Sequence, residues 1–145
     1  MSRRKAREAA FKVLFQVDQV RADSEQALAY LVNDHKLTAD EQEFARLLIE
    51  SALSNLQEID ASISQFSTDW ALQRISAVDR SIMRMAIAEM RYVKGTQSVV
   101  AIDEAIEIAK RFGEENSPGF VNAILDRVRS DNTVKNEGGE YHTAD

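Results

Sequence analysis

A length of 145 residues suits one domain around one core, and 44% hydrophobic with 29% charged residues argues against a disordered chain or a membrane protein. Five glycines and one proline are too few for a turn-dense sandwich or barrel, and zero cysteines exclude disulfides, thiolate chemistry and cysteine-held metals. The net charge of -6 counts against a nucleic-acid partner, but residues 1–12 hold five cations against Glu8 alone, while residues 130–145 hold four acids against Lys135.

The first helix is predicted over Arg3 to Val20, where Ala6, Ala9, Ala10, Val13, Leu14, Val17 and Val20 recur at three- and four-residue steps. No apolar signal core follows the basic start and no run reaches 18 apolar residues, so a cytoplasmic protein without a membrane contact is expected. A short helix is expected over Glu25 to Val32, then a polar loop at Asn33-Asp34-His35-Lys36. Thr38 with Glu41 forms a capping box that starts a third helix, carrying Phe44, Leu47, Leu48, Ala52 and Leu56 inward.

Ile59, Ile63 and Phe66 indicate a fourth helix, interrupted at Ser67-Thr68-Asp69 before Trp70, which is expected in the core. The segment Ala77 to Tyr92 is apolar nearly all round and should be surrounded by the others. After the break at Gly95-Thr96-Gln97-Ser98, Ser98 is expected to cap a helix with Ile102, Ala105, Ile106, Ala109 and Phe112 inward, ended by Gly113. Ser117 is expected to cap the last helix, with Pro118 first and Val121, Ile124, Leu125 and Val128 as its stripe. The reading is all-α: one compact single-domain bundle of about seven helices over residues 1–129, with 130–145 a disordered acidic tail.

At 100° per residue, Arg4, Phe11 and Phe15 fall together, nearly opposite the apolar stripe of the first helix. Arginines beside exposed rings suit single-stranded RNA, because the cations neutralise phosphate and the rings stack bases. The competing possibility is a sandwiched helix with both rings buried, Phe11 before Phe15. Phe120 lies at the edge of the last helix's stripe, near backbone amides that favour an anion. Glu89 falls inside an apolar stripe, where it needs a partner such as Arg84 or a lysine elsewhere. Asp103, Glu104 and Glu107 form a carboxylate cluster that reads as a solvated face. His35 and His142 occupy no metal or catalytic pattern, so neither an enzyme nor a cofactor is expected.

Three blocks of this chain together resemble the NusB family of bacterial transcription antitermination factors. They are Arg3-Arg4-Lys5-Ala6-Arg7-Glu8 leading to Leu14-Phe15-Gln16; Val78-Asp79-Arg80-Ser81-Ile82-Met83-Arg84-Met85-Ala86 ending at Glu89-Met90; and Val100-Ala101-Ile102-Asp103-Glu104-Ala105 through Lys110-Arg111-Phe112-Gly113 to Phe120-Val121-Asn122. The resemblance implies a helical bundle that binds boxA RNA jointly with NusE, a small-subunit ribosomal protein, and joins the RNA polymerase antitermination complex, notably on ribosomal RNA operons. It implies RNA contacts at Arg3, Arg4, Lys5, Arg7, Phe15, Asn116, Ser117 and Phe120, and a partner contact at Asp79. Several relatives carry Asp where this chain has Asn116, and losing that negative charge should strengthen RNA binding. The same fold begins some RNA cytosine methyltransferases, but these 145 residues carry no α/β cofactor-domain pattern, so catalysis of that kind is not expected. A protein-binding adaptor without RNA affinity of its own is the alternative, and monomer and homodimer both remain open.

Overall fold

The structure, a computed structural model, describes residues 2–67 and 71–131. Among these, seven α-helices follow one another: α1 (Arg3–Val20), α2 (Ser24–His35), α3 (Ala39–Ser54), α4 (Leu56–Phe66), α5 (Ala77–Tyr92), α6 (Ser98–Phe112) and α7 (Ser117–Ser130), with a short 3-10 turn at Leu72–Arg74. Trp70, the interruption at Thr68-Asp69 and the tail from 132 onward lie outside the described residues.

The apolar girth of α5 sets the architecture. Every residue from Ser81 to Met90 is buried, and the helix is enclosed by α1, α3, α4, α6 and α7. On one side α1 packs on α2 and α3; on the other α6 packs on α7, with α4 closing against α5 and α7. The expected stripes of α1 and α7 supply the core through Ala6, Ala9, Ala10, Val13, Leu14, Val121, Ile124, Leu125 and Val128. Val20, expected in the first stripe, is 72% exposed because the last turn of α1 runs past the core. Leu47 is also exposed, and Leu56 opens α4 rather than extending α3.

Several element ends differ from expectation. Asn33, Asp34 and His35 continue α2, which stops only at Lys36, a non-glycine residue in the left-handed conformation (φ 56°) whose N–H donates to Val32. Asn55 separates α3 from α4, its side-chain amide donating to the Ser51 carbonyl at 2.8 Å. Gln97, not Ser98, precedes α6, and Asn116, not Ser117, precedes α7, so Pro118 takes the second helical position. Gly113 does end α6, but in extended backbone (φ -94°, ψ -169°). Its requirement is space: a Cβ there would lie 2.5 Å from Ser117 Oγ and 2.9 Å from the Ala109 carbonyl oxygen.

Candidate nucleic-acid interface

The residue that opens α1, Ser2, is tied to the start of α3 by Glu41. Glu41 closes the capping box of α3 by accepting from Thr38 N–H at 2.9 Å, and its other oxygen accepts the Ser2 N–H at 2.6 Å. These two amides hold its carboxyl below the usual carboxylate range. Ser2 in turn caps α1, its hydroxyl accepting from Lys5 N–H.

From this fixed end the four cations diverge. Arg3 lies over the Phe44 ring at 4.3 Å and is exposed. Arg4 is 63% exposed and donates from Nε and Nη2 to both oxygens of Glu104, at 2.9 and 3.0 Å. That hydrogen bonding pulls the Glu104 carboxyl below its ordinary range, so the carboxylate cluster supplies a counter-ion here. Lys5 is exposed. Arg7 departs from the expected exposed set: it is 4% exposed and donates to both oxygens of Glu89, at 2.8 and 2.6 Å. Glu89 therefore pairs with Arg7, not Arg84, which binds Asp60 and Asp18. A guanidinium so enclosed organises the bundle and cannot meet phosphate.

Farther along α1 a row of rings forms. Phe11 is buried, with its centroid 6.4 Å from Phe15 and 5.4 Å from Phe112. Phe15 is half-buried and shares with Phe11, Lys12, Gln16, Val78 and Phe112 an open cavity of about 320 Å³. Lys12, which sequence reasoning counted only as charge, sits at this rim, its Nζ 5.2 Å from the Phe112 centroid and 3.1 Å from His35 Nε2. Its placement three residues before Phe15 on one helix was the available signal.

Across the first turn of α5 lies a second cavity of about 170 Å³, lined by Arg74, Ile75, Ser76, Asp79, Glu114, Asn116 and Phe120. Asn116 is exposed and Phe120 half-buried. Ser117 is 1% exposed, its hydroxyl accepting from Glu114 N–H at 2.9 Å, so it braces the α6–α7 junction from within. Asp79, expected at the surface, is only 7% exposed, and its Oδ1 is buried without a hydrogen-bond partner. Burial pushes its carboxyl up, against the hydroxyls of Ser117 and Ser76. The adjacent pair Val78 and Asp79 joins the two cavities, so Phe15, Asp79, Asn116 and Phe120 surround one turn of helix. Arg3, Arg4 and Lys5 stand apart, with Arg4 about 16 Å along α1 from Phe15 at 1.5 Å per residue.

Among the described residues no group of three or more histidines or acids is arranged to hold a metal ion, and no helix is long and apolar enough to cross a membrane. The chain matches the NusB family over residues 4–130. It is 57% identical over 128 residues, 88% of this chain and 96% of the relative, to the transcription antitermination protein NusB of Syntrophomonas wolfei. The NusB of Bacillus mycoides is 42% identical over 129 residues, covering 89% and 98% of the two chains. Among solved structures, T. maritima NusB superposes with a TM-score of 0.84 at 44% identity over 90% of this chain and 92% of that one. A crystal structure of antitermination factors NusB and NusE in complex with dsRNA shares the fold, with a TM-score of 0.81 at 24% identity over 88% and 96%. With the sequence blocks, the bundle and these matches in agreement, the chain belongs to the NusB family of transcription antitermination proteins.

Proposed function

We propose that this chain is an RNA-binding adaptor of transcription antitermination, acting in the cytoplasm, that takes boxA RNA jointly with NusE and carries the pair to RNA polymerase. The observation that carries this reading is the pair of incompletely buried rings, Phe15 and Phe120, on either side of the first turn of α5. Rings left open beside cations serve as stacking platforms, while Arg3, Arg4 and Lys5 add phosphate attraction at the start of α1. The nearly apolar cradle of Phe11, Phe15, Val78 and Phe112 suits a protein partner's side chains, which fits joint binding with NusE.

The test is binding of a boxA RNA, with and without NusE, across a salt series. Phe15→Ala should weaken the complex by ~1–3 kcal/mol, the usual worth of one stacked base. Unaltered affinity would remove Phe15 from the interface. Asn116→Asp should weaken binding at low salt by restoring a negative charge beside the strand, and equal affinity would end that idea.

A purely protein-binding adaptor is the second reading, favoured by the engagement of Arg4 and Arg7 in internal ion pairs. It predicts no salt-dependent RNA association even with NusE present. A homodimer formed over the apolar cradle would compete with both ligands, and sedimentation equilibrium of the chain alone measures it.

A further inference from the structure

Besides Phe15 in the ring row of α1, the proposed RNA contacts form two groups: Arg3, Arg4 and Lys5 at the start of α1, and Asn116 and Phe120 at the start of α7. The seam between α1 and α6 spans the gap. Two ion pairs cross it in opposite senses, Arg4 of α1 with Glu104 of α6, and Arg111 of α6 with Glu8 of α1. In both, the acid lies beneath and the cation outside: the arginine side chains are 63% and 65% exposed, those of Glu104 and Glu8 only 18% and 15%. Pairs stacked in this order present their positive members to an approaching strand.

Arg111 is the better placed to meet a ligand. Nη1 alone contacts Glu8, leaving Nε and Nη2 without a hydrogen-bond partner among the described residues. The nearby Glu107 is paired with Lys110 at 3.4 Å. Its guanidinium carbon lies 5.0 Å from the Phe112 centroid, a ring that Lys12 shares at 5.2 Å. Phe112 continues through Phe11 to Phe15, and two residues beyond Arg111 the chain leaves α6 at Gly113 toward Asn116. Arg111 thus stands beside the ring row and between the two groups.

We propose that Arg111 binds a phosphate of single-stranded RNA, so that the strand runs along the α1–α6 seam from the start of α1 to the start of α7. This rests on the RNA-binding reading above. A guanidinium with free donors forms charge-assisted bonds to phosphate oxygens, and each neutralised phosphate adds about 0.7 to the salt slope for a single strand.

The experiment measures fluorescence anisotropy of a short boxA RNA and of oligo(U) of the same length, with NusE present, over a salt series. Arg111→Gln should lose about tenfold in affinity at low salt on both RNAs and flatten the slope by about 0.7, while Arg111→Lys keeps the slope. An unchanged slope in Arg111→Gln, or a loss confined to one RNA, overturns the proposal and leaves RNA binding standing. A wild type whose binding shows no salt dependence removes the RNA reading, and this proposal with it.

Discussion

Arg7 and Glu89 form a bidentate pair that is 4% and 0% exposed. Stripping one member would leave a lone ion in the core, so Arg7→Ala or Glu89→Ala should each cost ~3–5 kcal/mol in urea denaturation. Replacing both, as Arg7→Met with Glu89→Leu, should recover most of that loss. A double variant as unstable as the singles would show that the pair's enclosure is not the source of the cost. That Glu89 needed a partner was legible from its place in an apolar stripe; which partner was not. Arg84 lies on the same helix, but five residues along it is about 500°, which turns the two side chains well apart. Arg7 is 82 positions away, and only its sharing a face with Ala10 and Leu14, three and seven residues on, hinted that it points inward. A linear count of charge treats Arg3, Arg4 and Arg7 alike, whereas the bundle makes the third a core residue.

Where elements begin and end, chemistry with a local signature was readable and backbone strain was not. The Thr38–Glu41 capping box forms as its spacing predicts. By contrast α1 and α2 stop at Arg21 and Lys36, both with φ of 56°, at positions that carry no glycine to announce the stop. A left-handed L residue costs ~1–2 kcal/mol, and glycine's greater unfolded freedom offsets part of the gain. Lys36→Gly should therefore raise stability by about 0.5–1 kcal/mol, measured as a higher urea midpoint; a lower midpoint would refute strain at that position. Gly113→Ala should act oppositely, since the added carbon meets Ser117 Oγ and the Ala109 carbonyl. It should displace the start of α7, lowering both the melting temperature and the affinity for RNA. Ser98 and Ser117 were each read one place too early in their helices, because a serine near a helix start looks alike whether it caps or, as Ser117 does, accepts from the loop behind it.

Taken whole, the molecule is stitched by acids held in their charged form. Hydrogen bonds from Arg4 lower Glu104, the amides of Thr38 and Ser2 lower Glu41, and Asp18, though burial raises it, is drawn down overall by Arg80, Gln19 and Arg84. A carboxyl lowered in the folded state adds stability that is complete above its unfolded value and disappears as pH falls through the folded one. Asp79 is raised and works the other way, its ionisation disfavouring the fold as pH rises through its folded value. With three lowered groups against one, the urea midpoint should fall steadily below about pH 4, and Asp18→Asn should shrink that dependence. A midpoint indifferent to acid would contradict the arrangement. The central position of α5 was readable at this scale because a helix without a polar side has nowhere else to go. How α1 and α6 meet across a long sequence separation was not, and there the basic strip is assembled. The Arg7–Glu89 bond also governs birth order. During synthesis at ~5–20 residues per second, the first helix waits roughly 4–16 s for the residue 82 places downstream, with α2 and α3 on hand but the side that meets α5 still uncovered. Newly made chains halted before α5 should therefore recruit a chaperone that released ones do not.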